Sequence, residues 1–299
     1  MQYLIERAEA KVSKTNKNFI LLTGNTGAER QTIYLWEIGN CDPTALIGKI
    51  MDTVPRESNG FLSANYADCR FHDLKQLPED HPIRQIETVG KYNSDDLWNL
   101  IQETAAEFEM PDTFRAYFAS QALKDDIADY SNYPAGAKAH HAYKNGLSTH
   151  TYEAVSIARQ LAKNECFAGI KFHISLAALI YHDWGKIKEY ASEAPWTYQS
   201  AMPLHGHIYL SAKRFHDQFV KTIPSGTPAN SETMRDVDFV EHAILAHHGK
   251  LEFGSPVVPA NAEAYLVHVA DAISASTHQY RNTYNMERNF FVGATVVKK

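Results

Sequence analysis

The sharpest chemical feature of the sequence is His182-Asp183, which closes the apolar run ISLAALIY and is followed by Trp184, Gly185 and Lys186. An uncompensated charge at the end of such a buried run costs several kcal/mol, so the pair needs a compensating partner. A metal ion would supply it. Adjacent residues on a helix are splayed by about 100°, and we expect Asp183 to offer its two oxygens to two ions.

Three further polar side chains fall on apolar helix faces. His150 shares a stripe with alanines at helical spacing, His247 follows apolar residues at offsets of seven, four and three, and Asp271 sits inside YLVHVADAISA. Singly, each such histidine is more often a hydrogen-bonded core residue than a ligand. Together with His182 and Asp183 they predict a metal site built from separate helices, with a nitrogen and oxygen set that suits borderline divalent metals.

A second metal position is expected beside the first. His207 and His248 are its candidate ligands, and His205 is the alternative to His207. We interpret five other histidines of the later part of the chain as exposed or as hydrogen-bonding the ligands: His173, His216, His242, His268 and His278.

The elements that position these residues belong to two regions. Short strands with glycine-bearing turns run from about Phe19 to Phe71 and favour a small β-barrel or sandwich, with a boundary near residue 90. Helical spacing dominates afterwards, and all but two of the fifteen histidines lie after residue 139. The predicted fold class is therefore α+β with two domains, a β domain over 1–90 and an all-α helical domain over 91–299. Helices are predicted at about 147–164, 173–187, 206–220, 237–248 and 262–280.

The ordered motifs resemble a known superfamily. The order His150, His182-Asp183, His207, His247-His248 and Asp271 is similar to that of the HD-domain metal-dependent phosphohydrolases, and HDWGK is typical of them. The segments YPAGAKAHHAYKNGLSTHT, LIYHDWGK, GHIYLS, ILAHHG, GSPVVPANAEA and VHVADAISA resemble the YhaM-type 3′-to-5′ exoribonucleases, which place an OB-fold nucleic-acid-binding domain before the HD domain. The resemblance covers roughly residues 133–277, and over the first domain it is one of architecture only.

The resemblance implies a role for each matching residue. His150, His182, Asp183 and Asp271 would surround one metal, and Asp183 would bridge to a second metal held by His207, His247 and His248. Lys186 would contact the scissile phosphate; the alternative is an exposed surface lysine. His140 and His141 would face the substrate, or else cap or pack a helix. The family usually has an acidic or aromatic residue just before the first histidine, where Ser148-Thr149 stand here, and the first domain lacks an obvious basic run.

The implied activity is metal-dependent 3′-to-5′ hydrolysis of phosphodiester bonds in single-stranded RNA or DNA. Two divalent ions, Mn²⁺ first, with Mg²⁺, Co²⁺ or Fe²⁺ as alternatives, would activate a water for in-line attack. The alternative is an HD-domain nucleotide phosphohydrolase or cyclic-nucleotide phosphodiesterase, which the net charge of −6 favours. A third hypothesis is a non-hydrolytic binding module or an HD-type di-iron oxygenase, because both chemistries use histidine and carboxylate ligands.

In the first domain, aromatic residues alternate with aliphatic ones. Tyr34, Trp36, Phe61, Tyr66 and Phe71 could stack single-stranded bases, with Lys49, Arg56 and Arg70 for phosphates, although aromatics at strand spacing are more often core.

Other classes find no support in the sequence. It has no GxSxG elbow, no phosphate-binding P-loop and no apolar stretch that would span a membrane. Three cysteines at spacings that fit no zinc pattern suit a reducing compartment, and we expect a cytoplasmic protein. A homo-oligomer is compatible with the sequence.

Overall fold

A computed structural model describes the chain at residues 1–26, 30–78, 81, 83, 89–136, 140–190, 199, 204–223, 228, 231–282, 287–289 and 294–296. It divides into two compact units, Met1–Glu87 with Thr283–Lys299, and Thr88–Asn282. The predicted roles of the two domains stay predictions. Among the described residues, no helix is long and apolar enough to cross a membrane, and the cytoplasmic location stays a prediction.

The first unit is built on a seven-stranded sheet. Its strands are β1 (Gln2–Val12), β2 (Asn18–Asn25), β3 (Arg30–Trp36), β4 (Lys49–Asp52), β5 (Arg56–Ser58), β6 (Phe61–Asn65) and β7 (Arg70–Asp73). The hydrogen-bonded order is β5-β6-β3-β2-β1-β4-β7, in which only β3 and β6 pair in parallel.

This sheet curls strongly although its hydrogen-bonded order is open. β6 pairs with β3 and β7 pairs with β4, yet a single 3-10 turn, Tyr66–Asp68, lies between β6 and β7. The sheet must therefore bend until β3 and β4 approach one another. The predicted α+β class with an OB-like first domain is confirmed, with an open, curled sheet in place of a closed barrel.

The inner face of the sheet holds an aliphatic core. On β2 and β3, Ile20, Leu22, Ile33 and Leu35 are fully buried and alternate with half-buried residues that point outward. This period of two is what the pleat of a strand with one covered face produces. The outward positions therefore carry whatever side chains the unit presents to a ligand.

The second unit is a helical bundle. Its helices are α1 (Ser94–Glu107), α2 (Asp112–Phe118), α3 (Gln121–Ala128), α4 (Gly146–Leu161), α5 (Phe172–Tyr181), α6 (Lys186–Glu189), α7 (His207–Phe219), α8 (Glu232–Ala246) and α9 (Ala262–Asn282). All ten residues of α5 are buried. A helix that is apolar all round must lie inside its domain, and α4, α8 and α9 pack around α5.

Two helices end earlier than their sequence pattern predicts. The apolar pattern extends a helix to residue 187, but α5 ends at Tyr181, and His182 and Asp183 lie in the turn that follows. Likewise α8 ends at Ala246, so His247 begins a turn. His182 and His247 are nevertheless the C-caps of these helices and keep right-handed helical dihedrals, so the prediction differs from the structure in where the helices end. Residues 287–289 and 294–296 form a short antiparallel pair of strands, β8 (Glu287–Asn289) and β9 (Ala294–Val296).

Candidate metal centre

Four side chains from three parts of the helical unit meet in a first cluster. His150 comes from α4, His182 and Asp183 from the turn after α5, and Asp271 from α9. The Nε2 atom of His150 lies 3.1 Å from Nε2 of His182 and 3.1 Å from Oδ1 of Asp271. Oδ2 of Asp183 lies 3.3 Å from Nε2 of His182 and 3.6 Å from Nε2 of His150. The four predicted residues thus present nitrogen and oxygen atoms to one small volume.

A second cluster adjoins the first through Asp183. Ring nitrogens of His207, His247 and His248 lie within 4.8 Å of one another. Oδ1 of Asp183 lies 3.5 Å from Nε2 of His207 and 3.8 Å from Nε2 of His247. One carboxylate therefore turns Oδ2 to the first cluster and Oδ1 to the second.

These side chains fit divalent ions. Ligand atoms about 2.1 Å from one ion lie roughly 3.0–4.2 Å from each other, and the distances of 3.1–3.8 Å that join His150, Asp183 and their neighbours fall in this range. Oδ1 of Asp183 and Nε2 of His207 are buried without a hydrogen-bond partner in the described structure. A buried acceptor left unpaired costs about 1–3 kcal/mol, and a cation at this point would satisfy both atoms.

Each histidine of the two clusters is held by a contact of its Nδ1 atom. Nδ1 of His182 donates to the Leu179 carbonyl at 2.7 Å, and Nδ1 of His247 donates to the Ile244 carbonyl at 2.6 Å. Each ring thus bonds a carbonyl in the last turn of its helix, where carbonyls lack the full set of intrahelical partners. Nδ1 of His248 likewise bonds the Phe253 carbonyl at 2.7 Å.

The remaining two histidines use side chains for the same purpose. Nδ1 of His150 lies 3.0 Å from the Ser274 hydroxyl, and Nδ1 of His207 lies 3.3 Å from a Glu189 oxygen. All five rings therefore turn Nε2, the free nitrogen, towards the centre. This is the arrangement in which neutral imidazole binds a metal.

Burial and charge set the protonation of the centre. Burial acts to raise the pKa of Asp183, but Lys186 and His182 outweigh it and hold that pKa well below its ordinary value. Burial likewise acts to raise the pKa of Asp271, but the neighbouring His150 and His182 outweigh it and lower that pKa. Burial lowers the pKa of His150 and, more strongly, of His247. His150 and His247 are therefore neutral beside ionised carboxylates, which is the ligand state that a metal requires. Burial also acts to lower the pKa of His182, but Asp183 and Asp271 outweigh it and raise that pKa in the metal-free chain.

Lys186 lies at the centre and is not an exposed lysine. It is 7% exposed, and its Nζ donates to Oδ2 of Asp183 at 2.6 Å. The alternative of a surface lysine is therefore wrong.

His140 and His141 adjoin the first cluster. The His140 ring is 4.6 Å from that of His150, while His141 is buried and its Nε2 lies 3.2 Å from Glu153. Their predicted contact with substrate stays a prediction.

Two groups of residues precede members of the clusters in the sequence: His205, two positions before His207, and Ser148-Thr149, directly before His150. His205 is exposed and stacks on Tyr209, so His207 is the histidine that reaches the second cluster. The hydroxyls of Ser148 and Thr149, which precede His150, donate to the Tyr92 carbonyl at 2.7 and 3.1 Å. The hydroxyls of this unusual pair therefore fasten the segment before α1.

Sequence reasoning missed four residues that support the ligands: Glu153, Glu189, Ser274 and Gly185. Glu153 follows His150 by three positions and Ser274 follows Asp271 by three, so both share a helix face with a ligand and could have been found by that spacing. Glu189 and Gly185 carry no such signal. A Cβ on Gly185 would lie 2.3 Å from the carbonyl oxygen of His207, so only glycine lets the two segments approach this closely.

Comparison with known proteins gives consistent matches. The profile of the HD domain matches residues 147–276. The chain is 30% identical to the 3′-5′ exoribonuclease YhaM of Bacillus velezensis over 91% of its own length and 83% of that protein. It is 28% identical to the protein of the same name from Oceanobacillus iheyensis, over 91% and 82%, and 25% identical to that from Bacillus subtilis, over 92% and 84%. No solved structure matches the chain significantly.

Proposed function

Because the chain belongs to the YhaM family of HD-domain proteins, we propose that it is a metal-dependent 3′-5′ exoribonuclease. The observation that carries the proposal is Asp183, a buried carboxylate shared by two histidine clusters. His150, His182, Asp183 and Asp271 would hold one divalent ion, and His207, His247, His248 and Asp183 would hold the second. We propose Mn²⁺ for both.

The chain's own residues define the reaction site around these ions. When bound, the ions supply an acidified water and positive charge for the phosphate oxygens. Lys186 adds a fixed ammonium at the same point, held by Asp183, and is placed to neutralise a phosphate oxygen. His140 lies beside His150 and is held neutral, because burial lowers its pKa well below the ordinary value. The neutral His140 ring can therefore donate a hydrogen bond to the substrate or accept one from it, without adding a charge to the site.

The first unit carries a surface suited to single-stranded RNA, which we call the aromatic strip. It consists of Phe19, Tyr34, Trp36 and Phe61. The Phe19 ring is 5.5 Å from Tyr34 and 4.7 Å from Trp36, and Phe61 meets Tyr34 edge-on at 5.6 Å. These rings point outward from β2, β3 and β6. For Tyr34, Trp36 and Phe61, the alternative that they form the core is therefore wrong. Aromatic rings on a sheet surface stack bases of any sequence.

The other residues predicted to contact bases or phosphates do not all lie on this surface. Tyr66 and Phe71 pack against the inner core of the first unit and stack on each other at 5.3 Å. Arg56 is exposed and stands opposite Ser63, which itself stands opposite Tyr34, so all three share the outer face. Lys49 is engaged by Asp73 at 2.5 Å. We therefore assign base stacking to the aromatic strip and a phosphate contact to Arg56.

The test is hydrolysis of single-stranded RNA labelled at its 5′ end, in the presence of Mn²⁺. We expect a ladder of labelled products that shorten one nucleotide at a time and no products with EDTA. With Asp183→Asn we expect the ladder to form about a hundred- to a thousand-fold more slowly. The matched control is Asp236→Asn, which changes a buried carboxylate bonded to His173 and Lys171, outside both clusters. Intact RNA with Mn²⁺, Mg²⁺, Co²⁺ and Fe²⁺, or turnover of free nucleotides alone, would refute the proposal.

A further inference from the structure

The five cluster histidines differ in what holds them. His182, His247 and His248 are anchored by backbone carbonyls, which no substitution removes. His150 and His207 are anchored by side chains, one in each cluster. Each metal position therefore depends on one imidazole whose orientation is set by a replaceable group.

His150 is anchored through a chain of two hydrogen bonds. The Ser274 hydroxyl donates its single hydrogen to Oε2 of Glu153 at 2.7 Å. The hydroxyl oxygen must then accept the hydrogen of His150 Nδ1, which lies 3.0 Å away. This fixes the proton on Nδ1 and leaves the lone pair of Nε2 facing His182 and Asp271.

His207 is anchored directly. Oε1 of Glu189 accepts the backbone N–H of His207 at 2.5 Å and lies 3.3 Å from its Nδ1. The Glu189 side chain is only 6% exposed, so water competes little for these bonds. A carboxylate can only accept, which places the proton on Nδ1 and leaves Nε2 free beside Asp183.

We propose that Glu153, acting through Ser274, and Glu189 are positioning residues, one for each metal position, that fix the tautomer and orientation of His150 and His207. Both carboxylates also make the imidazole a stronger donor to a cation, because a partial negative charge at Nδ1–H raises the electron density at Nε2. The inference rests on the proposed metal site. Neither residue touches the reacting atoms.

The test measures Mn²⁺ affinity, because a residue with a purely structural role would not weaken one of the two Mn²⁺ sites while leaving the other unchanged. The full chain is stripped of metal and titrated with Mn²⁺ while the free ion is followed by its EPR signal. We expect Ser274→Ala, Glu153→Gln and Glu189→Gln each to weaken one of two Mn²⁺ equivalents by about 10- to 100-fold. Ser274→Thr keeps the hydroxyl and should restore binding to near the wild-type value.

Two matched controls lie outside the clusters. Ser175→Ala removes a buried hydroxyl that donates to the Glu263 carbonyl, and Asp236→Asn changes a buried carboxylate bonded to His173. Both should keep wild-type Mn²⁺ affinity even where they lower the melting temperature. Equal loss of affinity in the controls, or unchanged affinity in Ser274→Ala, Glu153→Gln and Glu189→Gln, would overturn the inference. A wild-type chain that binds no Mn²⁺ would instead refute the proposed function itself.

Discussion

Replacing Asp183 by asparagine tests the shared carboxylate most directly. The change keeps the size of the side chain but removes its charge and turns one of its two oxygens into an amide nitrogen. Oδ1 lies 3.5 Å from Nε2 of His207, and Oδ2 lies 3.3 Å from Nε2 of His182. An amide cannot offer an anionic oxygen to both clusters, so we expect Mn²⁺ binding to be lost.

The expected size of the effect follows from linkage. A ligand present at a hundred times its Kd stabilises the folded protein by about 2.7 kcal/mol. The helical unit, Thr88–Asn282, has roughly 200 residues, for which 1 kcal/mol shifts Tm by about 2–4 °C. Each Mn²⁺ ion bound at this concentration should therefore raise the Tm of the wild-type helical unit by about 5–11 °C, and Mn²⁺ should raise that of Asp183→Asn by less than about 2 °C. Loss of about 3–4 kcal/mol of transition-state stabilisation would slow RNA hydrolysis about a hundred- to a thousand-fold.

Scanning calorimetry with and without Mn²⁺ measures the shift, and the RNA ladder measures the rate. Comparing shifts, and not absolute melting temperatures, removes the effect of losing the Lys186 ion pair in the metal-free variant. Asp236→Asn is the control: its unfolding temperature should fall, because His173 and Lys171 lose an anionic partner, yet its Mn²⁺ shift should persist. An Asp183→Asn chain that gains as much stability from Mn²⁺ as the wild type would refute the shared-carboxylate reasoning.

Four further outcomes are expected. Trp36→Ala should weaken binding of single-stranded RNA by about 5- to 150-fold in EDTA, since one stacked base contributes about 1–3 kcal/mol; fluorescence anisotropy measures this, with the exposed Phe239→Ala as control. Gly185→Ala should displace His207, whose carbonyl oxygen lies 2.3 Å from the added Cβ, and should lower the Mn²⁺ equivalents bound from two to one in the EPR titration. Burial acts to raise the pKa of Glu153, but contacts with His141 and Ser274 lower it to about 2 from 4.5. The ionised Glu153 side chain therefore stabilises the metal-free chain fully above pH 4.5, and this contribution is lost as the pH falls towards 2. Glu153→Gln should reduce this loss of unfolding free energy at low pH, as measured by urea unfolding. EDTA should abolish hydrolysis and excess Mn²⁺ should restore it; RNA cleavage that survives exhaustive chelation would argue against a metal-dependent enzyme.

The residues of the two clusters could be predicted from local sequence. A charged pair that closes an apolar run, and single polar residues on apolar helix faces, are visible without tertiary structure because helical periodicity determines which side chains turn inward. His150, Ala154 and Ala158 are indeed all buried on one face of α4. The two-region organisation was visible for the same reason, since the period of the apolar pattern changes from two to 3.6.

Other features depended on contacts between distant residues. The Ser274–Glu153 hydrogen bond joins positions 121 residues apart, and the choice between His205 and His207 depended on which ring approaches Asp183. The ends of α5 and α8 could not be predicted from apolar periodicity, because the apolar pattern continues past both ends; the hydrogen bonds from His182 to the Leu179 carbonyl and from His247 to the Ile244 carbonyl appear only in the structure. The outward direction of Tyr34 and Trp36 depended on which face of the curled sheet closes over the core.

The sequence alone therefore determined which polar residues lie on buried faces and need a partner there. Burying an unpaired polar or charged side chain costs free energy, whatever the rest of the fold looks like. Only the tertiary structure decided which atom of each residue faces the centre. An imidazole has two chemically similar nitrogens, and which of them is free depends on the hydrogen-bond partner of the other. For His150 and His207 that partner is a side chain brought alongside by the packing of the bundle.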